Sequence, residues 1–447
     1  MNARHLRLVI ILALFLAGAS PLSAQQETAT ITGDVKDSSG AVVPGATITV
    51  TNVETNISFK SETNDQGGYT VPSLKPGLYS ITVEKAGFQK TVRTGVILQV
   101  NQVARVDHSL QVGEVTSVVE VIAGAALLET QTSARGSVID QRKIVELPLN
   151  GRDYNQLALL SPGVLPGTPR LASVNFKGVL NVNGNRTFNN VFLLDGVDNI
   201  SYSNSFRGEN VQLVQPSIEA LQEFKIQTNA YSAEFGRSSG AVVNATIKSG
   251  TNSVRGAAYE FLRNDRLDAN NFFSNALAAP KPVRKRNQFG AAVGGPLIKN
   301  RTFWFGDYEG LREREGVPRV RLVPTAEEKA GIFSAAVADP FAPGRPEFAK
   351  NAAGKWVIPR DRWDPVGARI VALIPDPNVP NSTIFASTPV TRTRQDQFDV
   401  RVDHLIKDNI TLFGRYSFVD TDTFRPAPLT GLAEGSFNDA FGANQNR

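Results

Sequence analysis

NVNGNRTFNNVFLLDGVDN (Asn181–Asn199) and SIEALQEFKIQTNAYSAEFGRSSGAVVNATIKSG (Ser217–Gly250), joined by a polar passage, decide how the rest of the chain is read. Val191, Phe192, Leu193 and Leu194 form a short apolar run closed by Asp195-Gly196. That is a buried strand ending in a tight turn, since glycine supplies the positive φ a turn needs. Ile218, Leu221 and Phe224 recur at helical spacing, with Glu219, Gln222 and Glu223 facing away, and predict a short helix. Ala241, Val243, Ala245 and Ile247 alternate with Val242, Asn244, Thr246 and Lys248, which predicts a half-buried strand. The unit is a small mixed α+β domain.

These elements, in this order, resemble the plug domain of TonB-dependent outer-membrane receptors. The matching phrases are Leu194-Asp195-Gly196-Val197, Ile218-Glu219, Tyr231 to Gly236, and Gly240 to Asn244. Leu149-Asn150-Gly151-Arg152-Asp153-Tyr154, followed by Leu159 to Gly163, resembles the plug start of the Oar-like branch. Ile139 to Leu149 reads as a short helix ending at Leu147-Pro148. Where the family often carries Arg-Gly ahead of the Leu-Asp-Gly strand, this chain has Asn183-Gly184, with Arg186 two residues on. Arg152 and Arg186 are the candidates for plug–barrel ion pairs, against the plainer reading of solvated surface arginines.

The chain has 447 residues, enough for two or three domains. It contains no cysteine, which excludes disulfides, thiolate metal sites, a cysteine nucleophile and a lipid anchor on an N-terminal cysteine. Met1 to Ala24 reads as a cleaved secretory signal: Arg4 and Arg7, an apolar run Leu8–Ala17, then Leu22-Ser23-Ala24. The net charge of +5 includes both of those arginines, so the mature chain is nearer neutral and does not point to nucleic acid. No other apolar run is long enough for a membrane helix, so a spanning protein of this sequence must be a closed β-barrel.

Residues 25–112 read as a β-sandwich of short alternating strands with turn signals at near-regular spacing. In LYSITVEKAGF, Tyr79, Ile81 and Val83 share a face from which Leu78 is set apart. Gly33 to Val35, Pro44-Gly45-Ala46, Asp65-x-Gly67, Tyr69, the Leu74-x-Pro76-Gly77-x-Tyr79 corner and Gly87-Phe88 resemble the carboxypeptidase regulatory-like domain, a transthyretin-like sandwich. The resemblance carries no peptidase chemistry, because His108 has no partner at ligand spacing. Asp65 fits a turn better than a calcium cage.

Residues 113–250 then comprise a linker and the plug. Gly113 to Gly124 has a strand pattern. The resemblance implies that a segment here pairs by strand addition with TonB of the inner-membrane complex. Val115, Thr116, Val118, Val119 and Val121 are the candidates; the alternative is a last strand of the sandwich or a first strand of the plug.

From residue 251 the style changes to long two-faced ribbons. Phe398, Val400 and Val402 point one way, and Gln397, Asp399, Arg401 and Asp403 the other. Across Lys407-Asp408-Asn409, Ile410, Leu412, Tyr416 and Phe418 oppose Thr411, Arg415 and Ser417. Apolar outside and charged inside is what a membrane barrel wall requires. Connections alternate long and short: Asn264–Arg286, Lys299-Asn300, Gly310–Gln395, Lys407–Asn409. Outer-membrane barrels have long extracellular loops and short periplasmic turns. The two long passages are where ligand selection is expected. Trp304, Tyr308 and Tyr416 suit an aromatic girdle.

The fold expected is therefore mainly β: a transthyretin-like sandwich, a small α+β plug, and the first strands of an incomplete antiparallel transmembrane barrel (251–447). About five strands cannot close a barrel of about 22, so the sequence reads as a fragment of a longer receptor. The function implied is outer-membrane uptake of an unidentified small-molecule or oligomeric ligand. Outer-membrane lipid and the TonB complex are the partners; no cofactor and no catalysis are expected. The alternative is a periplasmic or cell-surface β-sandwich protein for adhesion or carbohydrate binding. Elsewhere, Val283 to Arg286 is a basic run in an expected loop, facing lipopolysaccharide or solvent rather than nucleic acid. Gly290 to Gly295 lacks the Lys-Ser/Thr of a phosphate loop. Three histidines, one of them in the signal, support neither a metal site nor a triad.

Overall fold

The computed structural model describes residues 28–113, 118–122, 130–167, 180–201, 211–236, 239–276, 281–407, 409–424, 426–427 and 429. The expected signal and the candidates Val115 and Thr116 lie outside the described residues. The chain divides into two compact units. One holds residues up to 257 with 292–307 and 398–417; the other holds 258–291, 308–397 and 418 onward.

The first unit begins with a β-sandwich. Its strands are β1 (Ala29–Asp37), β2 (Thr47–Asn52), β3 (Ser58–Glu62), β4 (Gly68–Leu74), β5 (Gly77–Glu84), β6 (Lys90–Leu98), β7 (Val103–Arg105), β8 (His108–Leu110) and β9 (Val118–Ile122). One sheet runs β4-β1-β7 with β8 also on β1; the other runs β3-β2-β5-β6-β9. Alternate residues of each strand fill the space between the sheets, as a period of two demands. Ile48 and Val50 of β2 and Tyr79, Ile81 and Val83 of β5 are buried, while Leu78 is exposed. Gly33 is glycine because a Cβ there would lie 2.0 Å from the Val106 carbonyl oxygen, which accepts from the Tyr69 hydroxyl at 2.7 Å. The Tyr79 hydroxyl donates to the Lys75 carbonyl at 2.8 Å, pinning the Leu74-to-Tyr79 corner. The linker strand β9 pairs in parallel with β6, Lys90 opposite Val118, so the strand expected in Gly113–Gly124 is the outer strand of the sandwich.

The segment that the resemblance reads as the plug consists of β10 (Arg135–Asp140), α1 (Gln141–Glu146), β11 (Val164–Pro166), β12 (Leu180–Val182), β13 (Val191–Leu194), β14 (Val197–Asp198), β15 (Ile200–Ser201), β16 (Val211–Gln212), β17 (Leu221–Asn229) and β18 (Val242–Ile247). Its main sheet has the order β10-β17-β18-β13-β14, with β13 parallel to β18 and the other pairs antiparallel. Asp195 and Gly196 both take positive φ, 50° and 74°, the two-residue turn that sends β13 back into β14.

Three expectations are corrected here. The helix expected over Ile218–Phe224 is a turn at Ile218–Ala220 followed by the start of strand β17. Three apolar residues span fewer than two helical turns, and long-range pairing to β10 and β18 outweighs so weak a local signal. The strand at 241–248 is buried on both faces, not one, because the sandwich turn at Asn101 packs on its polar face. The helix expected from Ile139 begins instead at Gln141, where the Asp140 side chain accepts the Lys143 N–H at 3.0 Å and caps it.

Five long strands follow: β19 (Arg255–Asn264), β20 (Arg284–Ile298), β21 (Thr302–Gly316), then β26 (Val390–Lys407) and β27 (Ile410–Phe424). They pair in chain order, β19-β20-β21-β26-β27, and the sheet is not closed among the described residues. Strands β20, β21 and β26 reach into the connections expected at Asn264–Arg286 and Gly310–Gln395, because the hydrogen-bonded ribbon continues through charged ends that lack apolar alternation. The basic run Val283–Arg286 is accordingly corrected from loop to strand for its three cations. The long passages also carry structure. Residues 265–283 include α2 (Phe272–Ala276). Between residues 317 and 389, β22 (Arg319–Leu322) pairs with β25 (Ile384–Ser387), and β23 (Ile332–Phe333) with β24 (Trp356–Val357). Helix α3 (Ala326–Lys329) opens on a Thr325–Glu328 capping box, and α4 (Pro365–Leu373) on Asp364.

Candidate functional site: the seat of the plug

The Asp195-Gly196 turn presents one carboxylate at the end of β13. The Asp195 side chain is only 1% exposed. Its Oδ1 accepts the Ile247 backbone N–H at 2.9 Å and the Arg401 guanidinium at 3.0 Å. Its Oδ2 lies 2.7 Å from Arg415 Nε, a charge contact off the line of a hydrogen bond. Arg401 comes from the charged row of β26 and Arg415 from β27. So the turn of the stopper is gripped by two wall arginines on neighbouring strands.

The rest of the grip is built around those two cations. Arg401 also donates to the Ile247 carbonyl at 3.1 Å and to Asp403 at 3.2 Å, and its guanidinium lies 4.6 Å from the centre of the Phe413 ring. Asp403 in turn takes Lys75 of the sandwich. Arg415 reaches the Leu194 carbonyl at 3.4 Å and donates to Ser417, which donates to Asp399. Three carboxylates (Asp195, Asp399, Asp403) meet three cations (Lys75, Arg401, Arg415), which lets this charge stay buried. Alternation explains why the wall supplies them: Gln397, Asp399, Arg401 and Asp403 are buried, while Val400, Val402, Ile410, Leu412, Tyr416 and Phe418 are exposed on the other face. A second tie joins Ser217 Oγ to Asp307 of β21 at 2.7 Å.

The sandwich is tied to both partners. Besides Lys75, the Lys60 backbone exchanges two hydrogen bonds with the Asn409 side chain, at 3.0 and 3.1 Å. The polar face of β17 and β18 meets the sandwich turn at Val100-Asn101. Glu223 accepts the Val100 N–H, Lys225 donates to the Asn101 carbonyl at 3.2 Å, and Asn244 donates to the Asn101 side chain at 3.1 Å. Burial pushes the Glu223 carboxyl up to about 7, although the Val100 N–H and Lys225 oppose it. Burial also lowers the Lys248 ammonium, partly offset by Glu219 and Asp307.

The residues singled out from sequence fall as follows. Arg152 pairs with Glu219 at 3.1 Å, within the plug itself. Arg186 precedes a short 3₁₀ turn, Thr187–Asn189. Ion pairs that reach the wall from the plug start at Asp195, with the opposite sign. Sequence reading took Asp195 as a turn former; the available signal was an inward row, Asp399 to Asp403, that needed a charged partner. Val118, Val119 and Val121 lie in β9. Among the described residues, no group of three or more His, Cys, Asp or Glu is placed to hold a metal ion.

Comparison with known proteins agrees with this architecture. Residues 30–111 match the family model of the carboxypeptidase regulatory-like domain, and residues 246–447 that of an outer membrane beta barrel domain. The TonB-dependent transporter Oar of Myxococcus xanthus is 26% identical over 314 residues, which cover 67% of this chain and 28% of that protein. The chain thus spans little more than a quarter of its curated relative's length. Among solved structures, the outer membrane transporter YddB of Escherichia coli superposes at a TM-score of 0.39 and 12% identity, over 66% of this chain and 34% of that one. The siderophore receptor PirA of Acinetobacter baumannii gives 0.35 and 16%, over 70% and 43%. The chain is homologous to a TonB-dependent transporter, joins a carboxypeptidase regulatory-like domain to outer-membrane barrel sequence, and is a protein of the outer membrane.

Proposed function

We propose that the protein acts as a TonB-dependent outer-membrane receptor that takes up a ligand past its plug. The observation that carries this is the Asp195 turn, buried and held by Arg401 and Arg415 on the charged face of a ribbon whose other face is apolar. These ion pairs hold the plug to the wall alongside the apolar side chains of Ala292 and Phe305, which share the plug's buried core. Ligand selection falls to the long passages at 265–283 and 317–389, and no catalytic role belongs to this reading. TonB pairing by strand addition is assigned to residues 115–121. In support, β9 ends its sheet, so one edge carries no strand among the described residues.

Protease treatment of intact cells tests the orientation. Cleavage within 317–389 is expected, and protection of that passage rules the proposed topology out. Photo-crosslinking from Val118 or Val121 is expected to capture TonB; capture only from positions outside 115–121 moves the contact elsewhere.

A further inference from the structure

The outward row of the ribbon changes character toward one end of its strands, within the second unit. Alternation fixes which side chains belong to that row. In β20, Arg284 and Arg286 turn to the inner face and pair with Glu315 at 3.1 Å and Glu313 at 3.7 Å. Lys285 between them is exposed on the outer face. The inward turn of Glu313 and Glu315 leaves Arg312 and Arg314 outward on β21. In β26, Gln397 is buried, so Arg392, Arg394 and Asp396 continue the outward row.

These cations sit beside aromatic side chains of the same face. Phe289 and Tyr308 lie 6.3 Å apart, and the Arg312 guanidinium is 5.7 Å from the centre of the Phe289 ring. Asp396 engages only part of the charge: it takes Arg312 at 2.6 Å, Arg394 at 2.9 Å and the Tyr308 hydroxyl at 2.7 Å. Lys285, Arg314 and Arg392 are exposed, with no ion pair among the described residues. The five cations, with Glu313 and Asp422 beside them, line a cleft of about 540 Å³, so cations outnumber carboxylates there five to two.

A membrane barrel keeps its lipid face apolar between two aromatic girdles. Cations one or two rows beyond a girdle lie at headgroup depth, where lipid phosphate is concentrated. Guanidinium groups match phosphate oxygens two at a time, and an aromatic floor beneath them suits an acyl–sugar boundary. We propose that Lys285, Arg312, Arg314, Arg392 and Arg394 form a binding site for the phosphate groups of an outer-leaflet glycolipid.

This inference rests on the membrane reading above, and its test separates the two. Full-length protein purified from outer membranes is inserted into phosphatidylethanolamine vesicles that carry bisphosphorylated lipid A or its phosphate-free form. Insertion is read by flotation, and retained lipid by mass spectrometry after gentle detergent extraction. The expected result is about tenfold or greater retention of the phosphorylated form, falling as salt rises. The combined Lys285→Gln, Arg314→Gln and Arg392→Gln protein is expected to lose that preference. Insertion with equal retention of both lipids, or an inserted triple variant with unchanged preference, overturns the lipid site and leaves the barrel reading standing. Failure of the unaltered protein to insert overturns both.

Discussion

Asp195 shows how much depends on single charged groups in this molecule. A buried pair roughly balances its own desolvation, but removing one partner strands the other. Arg401→Met is therefore expected to cost roughly 3–5 kcal/mol, read as a lowered urea midpoint for the protein held in lipid vesicles. A change within experimental error would mean that the plug is seated by other contacts. Glu223 predicts a pH dependence of opposite character. Its folded carboxyl titrates near 7 and its free value is 4.5, so the folded state holds its proton more tightly. The associated stability is present below about pH 4.5, declines as pH rises toward 7, and is gone above it, a loss on the order of 3 kcal/mol. Glu223→Gln keeps an acceptor for the Val100 N–H without the charge. Melting temperatures of the variant from pH 4.5 to 8 should vary less than those of the unaltered protein; parallel curves would place the titration elsewhere.

At the scale of elements, the ribbon hairpin β26–β27 carries the membrane argument. Leu412 is 60% exposed on the apolar face. An arginine at mid-bilayer depth on such a face costs about 2–4 kcal/mol, while the same change toward an aqueous lumen costs little. Leu412→Arg should reduce the fraction of protein that inserts, and Ser417→Arg should not fail for that reason; equal insertion by Leu412→Arg and the unaltered protein would contradict a lipid-facing row. The joint between plug and wall is just as constrained. At Gly250 a Cβ would lie 2.3 Å from the Trp304 carbonyl oxygen and 2.5 Å from that of Gly295. Backbone atoms cannot swing aside as a side chain can, so Gly250→Ala should weaken the seating of the plug. Faster protease cleavage within 181–250 of the inserted protein would report it.

On the scale of the whole molecule, the sandwich stands apart from the plug because it owns its core. Ile31, Ile48, Leu74, Ile81, Val83 and Leu110 are each fully buried within it. Residues 28–122 alone are therefore expected to fold and melt cooperatively. His108 supplies a marker for that test. Burial, aided by Arg93, lowers its imidazole to about 4, so it stays neutral where the unfolded chain would be charged. The domain should lose stability as pH falls from 6.5 toward 4, and His108→Gln should flatten that slope. A non-cooperative melt would show that the sandwich depends on its ties at Lys60, Lys75 and Val100.

What the sequence determined by itself was whatever shows locally as a period or a turn. The alternation through Phe398–Asp403 separated the two faces of the wall, and the Asp195-Gly196 dipeptide placed its turn, because side-chain direction in a strand and positive φ at glycine are properties of a few consecutive residues. The sandwich corner at Leu74–Tyr79 was legible for the same reason. Only tertiary structure decided that Leu221–Asn229 is a strand, that β9 completes the sandwich, and that Asp195 meets Arg401 and Arg415. Those outcomes are set by partners distant in sequence: pairing with β10 and β18 overrides less than two turns of helical spacing, and a buried carboxylate finds its cations about two hundred residues later in the chain. No local pattern records which distant charge will be the one left to neutralise.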